Sequence, residues 1–172
     1  MVMRPWRVRG CGQICAALLS FAPCVEGRKS LRVTIEADDL AGFESAAREL
    51  GKFVVPPMLV LLHGNLGAGK TTFVSALLKS KGIDGVNSPT FNLRNDYNAG
   101  SWRALHLDLY RLKPNDNGLD LLPPDEDYSN AIVFVEWPEK AQPGMFALFD
   151  QTLQIDITHT ADGRRTVSWQ NR

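Results

Sequence analysis

Residues 58 to 75 constrain this chain more than any other stretch. They read Met-Leu-Val-Leu-Leu-His-Gly-Asn-Leu-Gly-Ala-Gly-Lys-Thr-Thr-Phe-Val-Ser. The apolar run Met58 to Leu62 predicts a strand buried on both faces. Gly64, Gly69, Lys70 and Thr71 then fit the phosphate-loop spacing G-x-x-x-x-G-K-[ST]. After Lys70, the spacing of Phe73, Ala76 and Leu77 predicts a helix with one apolar face. Strand, glycine loop and helix in that order are the context the motif requires. A glycine turn that binds nothing does not explain the full match. Glycines let backbone N–H groups turn inward around phosphate oxygens, and the helix start adds positive partial charge. The expectation is that Lys70 reaches the β- and γ-phosphates and that the Thr71 hydroxyl binds Mg²⁺.

The length of 172 residues predicts one domain with a core that needs no staples. The expected fold class is α/β: a single P-loop NTPase domain of three layers, with a central mixed, mainly parallel sheet flanked by helices. The formal net charge is +0, but residues 1–30 hold five Lys/Arg and one acid. The remainder therefore carries a net charge of −4, which argues against tight RNA binding by a large basic face. Cys11, Cys15 and Cys24 all precede residue 30, so disulfides do not hold the body together.

Residues 1–29 differ from the rest. Arg4, Arg7 and Arg9 precede a short apolar stretch, Ile14 to Ala22, in the outline of a signal or transit peptide. The stretch is too short for a membrane span. The reading adopted is a disordered or spurious leader, followed by the P-loop ATPase domain at 30–172 in the cytoplasm.

Leu31 to Ile35 alternates like an edge strand. Asp38 or Asp39 offers an N-cap to a helix carrying Leu40, Phe43, Ala46, Ala47 and Leu50. Ser88-Pro89 favours an extended or turn geometry that displays Thr90. Phe91 to Tyr97 and Trp102 to Asp108 read as a hairpin. Residues 113–130 are loop-rich, and their acids Asp116, Asp120, Asp125, Glu126 and Asp127 read as a solvated face. Ala131 to Val135 predicts a buried strand ending in Glu136, which places a carboxylate beside the Mg²⁺ of Thr71. Leu153 to Thr158 and Thr166 to Trp169 predict a last hairpin around Asp162-Gly163.

Four blocks then agree: His-Gly-x-Leu-Gly-Ala-Gly-Lys-Thr-Thr-Phe at 63–73, Ser-Pro-Thr-Phe at 88–91, His-Leu-Asp-Leu-Tyr-Arg-Leu at 106–112 and Glu-Trp-Pro-Glu-Lys at 136–140. Jointly they resemble the TsaE (YjeE) family, from about residue 31 to the C-terminus. The resemblance implies a bacterial ATPase, using ATP and Mg²⁺, that assists synthesis of threonylcarbamoyladenosine (t6A) at tRNA adenosine 37. It implies partners of the TsaB and TsaD type, contact with tRNA only through that complex, and no membrane. Asn65, Leu66, Gly67, Ala68, Gly69, Lys70, Thr71 and Thr72 become the nucleotide-binding candidates, joined by Asp39 and Arg164. Thr71 and Glu136 are the implied metal ligands. Asp108 is the implied base or water-positioner, and Lys70 and a switch-like Thr90 complete the catalytic set.

Asn65 stands where the family commonly has Asp or Glu, which keeps a hydrogen-bonding group and loses a charge. A small-molecule kinase is the alternative reading. Such kinases close an arginine-rich lid over the transferring phosphate, and Arg164-Arg165 is the only adjacent arginine pair after Lys70. His106 and Trp137 read as a satisfied strand histidine and a packing residue.

Overall fold

The computed structural model describes residues 6–9, 32–113, 116 and 118–171. The strands are β1 (Trp6–Arg9), β2 (Val33–Ala37), β3 (Met58–His63), β4 (Arg94–Asn98), β5 (Arg103–Asp108), β6 (Ala131–Glu136), β7 (Thr152–His159) and β8 (Arg165–Asn171). Helix α1 spans Leu40–Gly51 and α2 spans Lys70–Lys79. The strands form one 8-stranded sheet in the order β1-β2-β8-β7-β3-β6-β5-β4.

The sheet is mixed, as expected. β7, β3, β6 and β5 run parallel at its centre, and antiparallel pairs flank them on both sides. The sequence reflects this split. β3 and β6 are almost continuously apolar, because parallel central strands are covered on both faces. β2 and β7 alternate buried with half-buried positions, the pattern of strands with one wet face.

Met58, Val60 and Leu62 face one core with Ile132, Phe134, Phe43, Leu50, Phe73 and Leu77. Both α-helices lie on that side. Leu59 and Leu61 face the other core with Leu105, Leu107, Val133, Leu109, Leu122 and Met145. The third layer is therefore built from the connections around residues 109–149, with 3-10 turns at Gly118–Leu121 and Pro138–Lys140. Asp39 caps α1, its Oδ1 accepting from the Gly42 N–H at 2.7 Å.

The strand expected at Leu31 to Ile35 falls at Val33–Ala37, two residues later than its expected start, and it is not an edge. Trp6–Arg9 pairs antiparallel along its outer side. Apart from those four residues, residues 1–29 lie outside the described residues. β4 also begins later than expected. The Leu93 N–H donates to the Pro89 carbonyl at 2.6 Å, and Leu93 has a left-handed φ of 62°. Residues 89–93 are consequently a turn.

The acids of residues 113–130 are not uniformly solvated. Glu126 binds Arg94 at 2.7 Å and Arg103 at 2.6 Å, and its side chain is only 20% exposed. The Tyr128 hydroxyl donates to its second oxygen at 3.1 Å. These bonds tie the connection before β6 to the β4–β5 hairpin. Hydrogen bonds from Arg94 hold the Glu126 carboxyl down to about 2, against an ordinary 4.5. A depressed folded pKa stabilises above the unfolded value, and that contribution is lost as pH falls from about 4.5 towards 2. Glu126→Gln is therefore expected to flatten the acid limb of stability across that window. Urea denaturation at a series of pH values measures it, and identical slopes for both proteins would contradict the assignment.

Candidate active site

The phosphate loop leaves β3 at His63 and enters α2 at Lys70. Gly64 has φ 146°, and a Cβ built there would lie 2.4 Å from the Ile157 carbonyl oxygen. No L side chain fits that approach of β7 to the loop. Gly69, the N-cap of α2, has φ 104°. The first helical bond runs from the Phe73 N–H to the Gly69 carbonyl at 2.8 Å. The loop thus delivers a helix N-terminus, which favours an anion, above the end of the parallel strands.

The candidate metal ligands meet. Thr71 Oγ1 donates to Glu136 Oε1 at 2.7 Å. Glu136 ends β6 directly beside β3, with Leu62 opposite Glu136 in the parallel register. Asp108 is the next neighbour, opposite Glu136 from β5. Thr90 joins it from the turn before β4, its Oγ1 donating to Asp108 Oδ2 at 2.5 Å. The Tyr110 N–H donates to the other oxygen, Oδ1, at 2.9 Å. Asp108 and Glu136 are 4% and 3% exposed.

Lys70 is as deeply placed. Its Nζ donates to the Gly64 carbonyl at 2.6 Å and to the Asn65 carbonyl at 3.1 Å. Trp137 covers it, with Nζ 3.8 Å from the ring centroid, a cation–π contact. Burial pushes the Lys70 ammonium below its ordinary value, while Glu136, Asp108 and Glu139 pull it upward. Lys70, Thr71, Thr90, Asp108 and Glu136, spread over 66 positions from first to last in the sequence, are therefore one cluster.

The remaining candidates divide. Asn65, Leu66 and Gly67 form the exposed tip of the loop, Ala68 is buried beneath it, and Thr72 is half-buried in α2. Asp39 serves α1 as its cap. Arg164 sits on the exposed β7–β8 turn, paired with Asp162 at 2.7 Å. Its neighbour Arg165 turns inward instead. The Arg165 guanidinium lies 5.3 Å from the Phe43 ring centroid, and its Nε is buried without a hydrogen-bond partner. That Nε is 3.6 Å from a Cβ built at Gly69. Strand alternation sets which of the two arginines faces Gly69, and it becomes readable only once the start of β8 is known.

Two further residues belong to the cluster. Trp137, expected to be a packing residue, also stacks on Tyr110 with centroids 4.9 Å apart. His106 is fully buried, with Nε2 2.9 Å from Glu136 Oε1.

A buried lysine on a glycine loop, facing carboxylates at the ends of adjacent parallel strands, defines a P-loop fold. A family model described as threonylcarbamoyl adenosine biosynthesis protein TsaE matches residues 37–167. The chain belongs to the TsaE family, whose members take part in tRNA t6A biosynthesis. Its relatives include tRNA threonylcarbamoyladenosine biosynthesis protein TsaE of Aquifex aeolicus, 40% identical over 118 residues, covering 64% of this chain and 77% of the relative. The protein of the same description from Bacillus subtilis is 33% identical over 128 residues, covering 73% and 77%. Among solved structures, Bacillus subtilis YdiB superposes with a TM-score of 0.64 at 25% identity, covering 84% of this chain and 88% of that one. Among the described residues, no helix is long and apolar enough to cross a membrane.

The loop geometry predicts unequal costs for its glycines. Gly67 has φ 77° and open space around it, so Gly67→Ala should cost about 1–2 kcal/mol for the left-handed conformation alone. Gly64→Ala also drives a methyl group into the Ile157 carbonyl and is expected to cost more. Urea unfolding compares them, and equal losses would mean that β7 does not approach the loop this closely.

Proposed function

We propose that this chain is a Mg²⁺-dependent ATPase that supports threonylcarbamoylation of tRNA adenosine 37, acting with proteins of the TsaB and TsaD type in the cytoplasm. The observation that carries the reading is the Thr71–Glu136 hydrogen bond, 2.7 Å long, at the foot of the phosphate loop. It joins a hydroxyl and a carboxylate that are both hard oxygen donors. Among the described residues, no group of three or more His, Cys, Asp or Glu side chains could hold a metal ion. One carboxylate and one hydroxyl, with waters and phosphate oxygens completing the shell, suit Mg²⁺ better than a metal needing an all-protein cage. Thr71 and Glu136 would hold the ion, which would supply charge neutralisation to the phosphates.

The protein's own groups divide the remaining work. The loop N–H groups and the start of α2 hold phosphate oxygens. Lys70 leaves the Gly64 and Asn65 carbonyls to pair with phosphate, remaining under the Trp137 ring. Asp108 orients the attacking water through Oδ2, the oxygen that Thr90 occupies here. Displacing Thr90 is thus a step between binding and hydrolysis, and a partner that draws the 88–91 segment away would promote it. The exposed Phe91 and Leu66, 83% and 75% accessible, give such a partner apolar contacts beside the site. tRNA is then reached through the partners, consistent with the absence of a net positive body.

Asp108→Asn is expected to bind ATP nearly as wild type does, because a water-orienting group contributes little to ground-state affinity. Its phosphate release should fall by about 10²–10⁴-fold. Lys70→Ala should instead weaken ATP binding directly. Calorimetric affinities and phosphate-release rates, each with and without TsaB and TsaD, test both. Lost affinity in Asp108→Asn would make Asp108 a binding residue, and equal partner stimulation of wild type and Asp108→Asn would remove it from the chemical step.

A further inference from the structure

His106 occupies the middle of β5 on the face that carries α2, and none of it is exposed. Its Nε2 lies 2.9 Å from Glu136 Oε1, the same oxygen that accepts from Thr71 Oγ1 at 2.7 Å. An ionised carboxylate only accepts, so Nε2 carries the hydrogen and donates. The other ring nitrogen, Nδ1, is buried without a partner. The ring therefore has one polar engagement, and it is aimed at Glu136. Strand order produces this. His106 and Asp108 share a face of β5, and β5 is the parallel neighbour of β6 with Asp108 opposite Glu136.

We propose that His106 is a positioning residue for the metal site, acting through Glu136. Two donors, Thr71 and His106, converge on Oε1. They fix the rotation of the carboxylate about its last bond and leave Oε2 as the oxygen for the cation. Without the His106 donor, the carboxylate is held at one point by a threonine hydroxyl that must itself turn towards the cation. The carboxylate then loses its fixed orientation when the ion arrives. Hydrogen bonds of this outer kind typically change metal affinity by about 10–100-fold. The inference rests on the reading that Thr71 and Glu136 face Mg²⁺. It assigns His106 no contact with nucleotide or water.

The test uses the full chain and a non-hydrolysable ATP analogue, with affinity measured by calorimetry in EDTA and across a Mg²⁺ series. Mn²⁺ binding to the nucleotide-loaded protein, read by electron paramagnetic resonance, gives a second measure without turnover. His106→Leu should lower cation affinity about 10-fold or more and leave the EDTA affinity unchanged. His106→Gln places an amide N–H near the position of Nε2 and should restore most of the loss. His106→Asn places its amide near Nδ1, short of Glu136, and should not; it replaces the leucine variant if that protein fails to fold. In a Glu136→Gln background, His106→Leu should add almost nothing, because partners in one network are non-additive. Wild-type cation affinity in both His106→Leu and His106→Asn, whatever their melting temperatures, would overturn the assignment alone. So would losses that multiply with Glu136→Gln. A wild-type protein without any Mg²⁺ effect would overturn the assignment together with the ATPase reading.

Discussion

The site depends on the parallel register of β3, β6 and β5. Leu62, Glu136 and Asp108 lie level across the three strands. Side chains alternate between faces with a period of two, so a slip of one residue moves a whole strand's set to the other face. Shifted by one, β6 would turn Val135 towards the phosphate loop and bury Glu136 against Leu61 and Leu107. Both faces of β3 and β6 are packed, which makes such a slip expensive. The apolar strands therefore secure two carboxylates that have no apolar reason to be where they are. The loop follows the same logic, because α2 begins from the end of β3 and brings Thr71 to the end of β6.

What the register assembles is costly in charge. Lys70, His106, Asp108 and Glu136 are the buried polar and charged residues of the described chain. Charges withdrawn from water require partners, and removing one partner leaves the other exposed to the full penalty. Each of the four has one here: loop carbonyls and an indole ring for Lys70, Thr90 and a backbone N–H for Asp108, Thr71 and His106 for Glu136, and Glu136 for His106. One ammonium faces two carboxylates. A triphosphate entering this cluster adds further negative charge, and on the proposed reading the accompanying divalent cation offsets it. On the same reading, Lys70 Nζ, Thr71 Oγ1 and Asp108 Oδ2 are atoms that phosphate, metal and water would engage, and each holds a hydrogen bond here.

Elements with a strong local signal were legible in the sequence. The phosphate loop, α1 with its Asp39 cap, β6 with its terminal Glu136 and the final hairpin all stand where spacing and cap chemistry placed them. The features that escaped depend on what comes from elsewhere in the chain. Nothing near Glu126 announces that Arg94 and Arg103 will reach it from β4 and β5. Phe91 looks like the first residue of a strand because aromatics favour strands, and the Pro89–Leu93 turn overrides that preference. Arg164 and Arg165 are indistinguishable by composition, and the strand boundary sets which one points to Gly69. His106 is apolar in its surroundings and polar in one direction only. Its direction is set by β6, which lies about 30 positions away in sequence.

Backbone strain marks the same place. Leu93 and Trp137 are the non-glycine residues of the described chain with positive φ, at 62° and 59°. A left-handed conformation costs such residues about 1–2 kcal/mol each. Both adjoin the cluster. The turn at Leu93 folds residues 89–93 back so that Thr90 meets Asp108, and the Leu93 carbonyl accepts the Asp108 N–H at 3.0 Å. Trp137 follows Glu136 directly. Its turn ends β6, keeps its N–H on the Leu62 carbonyl at 3.3 Å and swings the indole over Lys70. Glycine would adopt either conformation freely, but at 137 it would remove the ring from Lys70. The fold accepts the strain because the ring, Tyr110 and the partly buried layer beneath them hold it in place. Strain, buried charge and strand register thus converge on one end of the sheet, and on the proposed reading they hold the site stiff before its ligand arrives.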